Sequence, residues 1–273
     1  VVTPAASGIV SISLDHTSIL GNTVEEIARE KAGIIKPGKT VVVGALPDAA
    51  LRVVEEVAQT QGSEIWRLGS EVVLEPGRGD QWRVGTPAAS YSGLVPGIRG
   101  AMQPENMAVA IAMMDAAGAT CSGEALAHGA KLARVPGRFE IRQVRGQTVV
   151  LDGAHNSQAA EVLARSLDEE FPGKRIVLLG GMVGGHDPGD FFKPLARLCD
   201  IVLLTEIDFH RAVPPEELRH AIAEVLPRAQ VVVPFTDAVE LALAKASDTD
   251  GLLVVTGSFY LVGAVGRYLN SIT

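Results

Sequence analysis

The chain has 273 residues, 47% of them hydrophobic, enough apolar material for two buried cores of ordinary domain size. Its 24 basic and 32 acidic residues leave a formal charge of −8, which gives no electrostatic footprint for nucleic acid or an anionic membrane surface. No apolar run reaches the ~20 residues of a membrane helix, and no basic leader follows Val1, so a cytoplasmic, monomeric protein working on small molecules is expected, with no nucleic-acid or membrane partner.

The chain opens on Val1 almost directly before a core strand, and an amino-terminal segment is therefore expected to be missing. Ile9 to Leu14 reads as a buried strand that delivers Asp15 and His16 to its carboxyl end, where open α/β sheets place ligands. Asn22 caps a helix with Glu25 three residues on; Gly33 and then Pro37 end it, leaving Lys31 in the last turn. Taken singly, Asp15 and Thr17 read equally well as turn formers, His16 as a buried imidazole and Lys31 as a helix-end cation. Thr40 to Val43, Ala49 to Thr60 and Glu64 to Leu68 continue as strand, helix and strand. Short segments between Ser70 and Ser92 suggest antiparallel edge strands, with Trp66 and Trp82 filling the core.

A helix over Glu105 to Ala117 places Met107, Ala108, Ala110, Ile111, Met114 and Ala117 on a core stripe, and its first turn bears Asn106. After a helix from Gly123 to Leu132, the Pro136-Gly137-Arg138 linker divides the chain into residues 1–134 and 135–273. Strands over Phe139 to Val144 and Thr148 to Leu151 lead to Asp152-Gly153-Ala154-His155-Asn156 and a helix through Leu167. An acidic residue at a strand's carboxyl end suits ribose hydroxyls, and the following helix start suits phosphate. Four further strands, Ile176 to Leu179, Ile201 to Leu204, Gln230 to Val233 and Leu252 to Val255, alternate with helices as in a doubly wound sheet. Gly180, Gly181, Gly184 and Gly185 miss the dinucleotide fingerprint because Met182 takes the second glycine position. His186, Asp187, His210 and Arg211 stand near the expected cleft. Ser258 and Tyr260 read either as a helix cap and a core aromatic or as ligand contacts. Cys121 and Cys199, far apart, read as buried reduced thiols.

The string from Leu14 to Gly38 closely resembles the signature of the folylpolyglutamate synthase and dihydrofolate synthase family, a branch of the Mur ligases that joins an amino acid to a carboxylate with ATP. Gly100 to Asn106, Pro136-Gly137-Arg138, Asp152 to Asn156 and Thr256 to Tyr260 resemble later elements of the same family, in the same order. The resemblance implies an α/β chain: the carboxyl-side part of a Mur-type ATPase domain, then a Rossmann-like Mur ligase carboxy-terminal domain. It implies magnesium at His16, a carbamylated catalytic Lys31, and nucleotide contacts from Asn106, Arg138 and Asp152. It also implies His155, catalytic and substrate-binding, beside the incoming amino acid, and glutamate held by Ser258 and Tyr260. ATP, magnesium, L-glutamate and a folate or dihydropteroate acceptor are the implied cofactors and substrates. Met102 departs from the family's frequent His. No phosphate-cradling Gly-x-x-x-x-Gly-Lys-Ser/Thr stretch is expected, so residues 1–273 alone should be incomplete and inactive. The alternative is a nucleotide-binding, non-catalytic sensing or interaction protein; a nicotinamide-dependent dehydrogenase is opposed by the failed glycine spacing.

Overall fold

The computed structural model describes residues 2–14 and 20–273. The chain forms two compact units, one of Val1–Gly97 with Met102–Ala133 and one of Ile98–Ala101 with Arg134–Thr273.

In the first unit, β1 (Ser7–Ile9), β2 (Val41–Val43) and β3 (Ile65–Arg67) form a parallel sheet in that order. The helices α1 (Val24–Ala32) and α2 (Asp48–Thr60) bury Ile27, Ala28, Ala32, Val53 and Val54 against Ile9, Val41 and Val43. The first strand is earlier and shorter than the sequence suggests. Its ladder with β2 covers only Ser7 to Ile9, after which Ile12 is buried without a strand and Val10 and Leu14 face solvent. Asp15, His16 and Thr17 lie outside the described residues.

The cap of α1 also differs from expectation by one residue. Thr23, not Asn22, is the N-cap: its hydroxyl accepts the Glu26 N–H at 3.1 Å, while the Glu26 carboxylate accepts the N–H groups of Asn22 and Thr23. Threonine followed three residues later by glutamate closes both halves of the capping box, which Asn22 with Glu25 would not.

The phosphate-loop spacing, expected to be absent, does occur at Gly33-Ile34-Ile35-Lys36-Pro37-Gly38-Lys39-Thr40. It runs from helix into strand, the reverse of a phosphate loop. Its backbone donors are also occupied: the N–H groups of Gly33, Ile34 and Ile35 bond to carbonyls in the last turn of α1, that of Gly38 to Gln61, and that of Lys39 to Lys36. A cradle needs free N–H groups converging on a helix start, and this segment offers none of that arrangement.

The rest of the unit is an antiparallel sheet of β4 (Val73–Pro76), β5 (Trp82–Gly85) and β6 (Ser90–Leu94), with α3 (Gln103–Ala116) and α4 (Gly123–Leu132). Trp66 is buried and Trp82 packs on the same cluster. The α3 stripe needs correction: Ala108, Val109, Ile111 and Ala112 are buried, whereas Ala110, Met114 and Ala117 are exposed. This helix is apolar nearly all round, so periodicity alone does not choose the inward face. Cys121 is likewise exposed rather than buried; Cys199 is partly covered, and burial pushes its thiol up to about 12.

In the second unit, the strands β7 (Glu140–Val144), β8 (Gln147–Leu151), β9 (Ile176–Gly180), β10 (Cys199–Leu204), β11 (Gln230–Val231) and β12 (Leu252–Thr256) lie in the order β11-β10-β9-β12-β8-β7. Only β7 is antiparallel to its neighbour. The helices α5 (Ser157–Glu170), α6 (Pro188–Ala196) and α7 (Pro215–Ala221) cover one face, packing Leu163, Leu167, Phe191, Phe192 and Leu218 on Val150, Leu178 and Val254. On the other face α8 (Phe235–Asp248) and α9 (Phe259–Ile272) pack Val239, Leu243, Leu261 and Val265 on Val149, Leu179 and Val255. The result is a doubly wound sheet, as the alternation of elements indicates.

Candidate functional site

Neighbouring strands β8 and β12 feed helices on opposite faces, α5 and α9. Their carboxyl ends therefore form the topological switch point at which open α/β sheets bind ligands. The backbone ties the two ends together: the Asp152 N–H donates to Val255 O at 3.0 Å, and the Gly257 N–H to Ala154 O at 3.0 Å. Gly257 has φ +99°, and a Cβ there would lie 2.5 Å from Gly181 O, so the turn after β12 admits only glycine at this spacing.

Asp152 leaves β8 and turns its carboxylate back on the linker. One oxygen accepts the Phe139 N–H at 2.8 Å and the other the Ala154 N–H at 2.9 Å. Burial pushes this carboxyl above its ordinary range, while those two N–H groups and the charges of Arg138 and His155 pull it back. Phe139 sits at φ +44°, a left-handed conformation uncommon for a bulky residue. Its N–H bond to Asp152 and its buried ring against Phe171 hold it there. Gly137, just upstream, donates to the Glu140 carboxylate at 2.8 Å and accepts the Gly153 N–H at 2.8 Å. The Pro-Gly-Arg linker is thus pinned from both sides, and Arg138 between the pins remains exposed.

The side chain that gathers this site is Phe259, at the start of α9. The Arg138 guanidinium lies over its ring at 4.5 Å, and the His155 ring is 6.1 Å away between centroids. A Cβ on Gly153 would come within 2.3 Å of the same ring. His155 places Nδ1 2.9 Å from Gly153 O and meets the edge of His186 at 5.7 Å between centroids. Asn156 caps α5 through the Ala159 N–H at 2.9 Å. Ser258 is buried and caps α9, accepting the Tyr260 N–H at 3.1 Å. Tyr260 is not a core aromatic: it is half exposed and stacks on Phe209 at 3.9 Å, with His210 and Arg211 alongside.

The second unit therefore brings Arg138, Asp152, His155, Ser258 and Tyr260 to the carboxyl ends of β8 and β12. Sequence reasoning missed Phe259 and Phe209; the glycines at 137 and 153 were the available sign that a large ring had to fit. Lys31 and Asn106 belong to the first unit. Lys31 Nζ donates to Ser11 O at 3.4 Å, and Asn106 Nδ2 to Gln103 Oε1 at 3.3 Å. His16 lies outside the described residues, and among those described no three His, Cys, Asp or Glu stand together as a metal site. Among them, too, no helix is long and apolar enough to cross a membrane.

Residues 137–259 match the family model for the Mur ligase, glutamate ligase domain. A dihydrofolate synthase/folylpolyglutamate synthase from Bacillus subtilis is 30% identical over 99% of this chain and 64% of its own length. A folylpolyglutamate synthase from Mycobacterium tuberculosis, solved with ADP and AMPPCP, superposes with a TM-score of 0.91 at 26% identity, over 98% of this chain and 64% of that one. A bifunctional folylpolyglutamate synthase/dihydrofolate synthase from Yersinia pestis, solved with AMPPNP and a Mn ion, gives a TM-score of 0.82 at 28% identity, over 98% of this chain and 62% of that one. The chain thus spans just under two thirds of the length of these relatives. Residues 137–259 thus match the Mur ligase, glutamate ligase domain, and the chain is similar over nearly its whole length to folylpolyglutamate and dihydrofolate synthases.

Proposed function

We propose that this chain supplies the glutamate-ligase domain, and part of the nucleotide-binding domain, of an ATP-dependent ligase that adds L-glutamate to a folate or dihydropteroate carboxylate. The observation that carries the reading is the clasp of Arg138 and Asp152 around the pinned linker at the switch point, within a domain whose relatives bind ADP and ATP analogues. The partly buried Asp152 keeps a lone pair on each oxygen beyond its N–H bonds and can accept from ribose hydroxyls. The exposed Arg138 guanidinium presents paired donors to phosphate oxygens. Asn106 is proposed as a further nucleotide contact.

ATP supplies the phosphoryl group that activates the acceptor carboxylate. Ser258, Tyr260 and His155 hold the amino acid whose amine displaces that phosphate. Magnesium held by His16 and a carbamate on Lys31 remain part of the reading by resemblance; a hard cation between phosphate oxygens fits the chemistry, and a carbamate would exchange Lys31's positive charge for an oxygen ligand. We read the units 1–134 and 135–273 as functional domains, with a cytoplasmic monomer as the working form.

Calorimetric titration of the chain with ADP, L-glutamate and NADH tests this reading. Binding of ADP, then of L-glutamate to the ADP-bound protein, is expected, with no response to NADH. Because the N–H groups of Gly33, Ile34, Ile35, Gly38 and Lys39 are already bonded, ligation of labelled glutamate to dihydropteroate or tetrahydrofolate by residues 1–273 alone is expected to stay far below ~1 s⁻¹. Binding of NADH without ADP would contradict the ligase reading.

A further inference from the structure

The contact between His155 Nδ1 and Gly153 O, at 2.9 Å, fixes more than the position of a ring. A carbonyl oxygen only accepts, so Nδ1 must carry the hydrogen, and in the neutral imidazole Nε2 is left with the lone pair. Gly153 O is held because the N–H of the same peptide plane, that of Ala154, donates to Asp152 Oδ1 at 2.9 Å. His186 and Phe259 flank the imidazole. Asp152 lies three residues back, and the Arg138 guanidinium lies over the neighbouring Phe259 ring. His186 in the loop after β9, with Asp187 capping α6, completes the titratable groups on that side.

We propose that Nε2 of His155 is the general base that takes a proton from the ammonium group of the incoming amino acid. The inference rests on the reading that this site receives L-glutamate, and it assigns the base for that reaction. An amino acid is held mainly as its ammonium form at neutral pH and has no lone pair to attack with. Transfer of one proton breaks an N–H bond of the ammonium and forms Nε2–H, giving a free amine and an imidazolium. The amine nitrogen then bonds to the activated carboxyl carbon while the C–O bond to phosphate breaks, its electron pair leaving with the phosphate. The second N–H proton goes to that phosphate, and the imidazolium returns its proton to water. A neutral imidazole that keeps its lone pair on Nε2 suits this task.

Long-range proton–nitrogen NMR on the chain labelled with ¹⁵N-histidine, with His155→Gln to assign the resonances, reads the tautomer directly. The neutral ring is expected to carry its hydrogen on Nδ1; an Nε2–H tautomer would overturn the proposal. With ADP saturating, the His155 pKa is then compared in L-glutamate and in glutarate, which has both carboxylates and no amine. An ammonium against Nε2 disfavours the imidazolium, so the value in L-glutamate is expected to be lower by about half a unit or more. Equal values, or no response of His155 to L-glutamate, would overturn the assignment. A chain that failed to bind ADP yet showed the expected tautomer and the glutamate-specific shift would refute the ligase reading and leave the base in place. ADP binding with the wrong tautomer would do the reverse.

Discussion

At the residue scale, the site depends on what Phe259 excludes. Its ring occupies the space a side chain at Gly153 would need, and its face carries Arg138, so one aromatic sets the position of both the linker arginine and the turn after β8. The placement of Asp152, His155 and Ser258 just beyond strand carboxyl ends was legible in the sequence, because each stands in a recognisable string after an apolar run. The contacts of Phe259 and Phe209 were not, since an aromatic's place in the chain carries no sign of which distant residues meet it. The exposure of Cys121 was illegible for the same reason: burial is decided by neighbours brought in by the fold. In the first unit, Glu71 shows how a side-chain pair sets a pH response. Its carboxylate takes Arg67 Nε at 3.2 Å, the Arg67 N–H at 3.0 Å and Ser70 Oγ at 3.1 Å, and the Arg67 side chain above all holds it down to about 2. Because the folded pKa is depressed, the stabilisation is full above the ordinary carboxylate range and is lost as pH falls towards about 2. Thermal melts between pH 6 and pH 2 are expected to show this acid-side loss, and Glu71→Gln should flatten that part of the profile; an unchanged profile would show that the pair contributes nothing.

At the element scale, the start of α1 was readable to one residue, the start of α3 to two and the end of α5 to three, whereas the inward face of α3 was not readable. The α1 capping box is local chemistry, and Thr23 with Glu26 follows from hydroxyl and carboxylate reaching N–H groups within one turn. Thr23→Ala should cost about 0.5–2 kcal/mol, with Asn22→Ala nearer neutral, as read by urea denaturation. The reverse order of effects would return the cap to Asn22. For α3 the sequence is apolar on several sides, so the inward face is chosen by what Trp66, Val84 and Leu94 present to it. The first strand illustrates the other limit. A β-branched run from Ile9 onward looks extended, but pairing ends where β2 gives way to Gly44, whose N–H closes on Ile9 O.

At the scale of the whole molecule, the alternation of strands and helices made the doubly wound sheet readable, because each βαβ crossover fixes its strands as parallel and its helices as coverings. Its membership was less accessible. Ile98–Ala101 belongs to the second unit, where the Ala101 N–H donates to the buried Ser166 hydroxyl at 2.9 Å and Arg99 pairs with Glu170 at 3.1 Å. Nothing in the sequence separates these four residues from those around them. Residues 134–273 expressed alone are expected to fold cooperatively, since both helix layers and all six strands are present. Loss of the Ala101 bond should lower their midpoint relative to the same unit in the intact chain, by an amount consistent with roughly 0.5–1.5 kcal/mol for one hydrogen bond. Equal midpoints in calorimetry would show that the segment is a passive visitor. The most direct test of the proposed ligase role is ADP affinity in the intact chain, measured by titration calorimetry for the wild type and for Arg138→Ala. Loss of charge-assisted bonds worth about 1.5–3 kcal/mol each should weaken binding about tenfold or more, with the melting temperature nearly unchanged because Arg138 is exposed; wild-type ADP affinity in Arg138→Ala would contradict the assignment of the switch point as the nucleotide site.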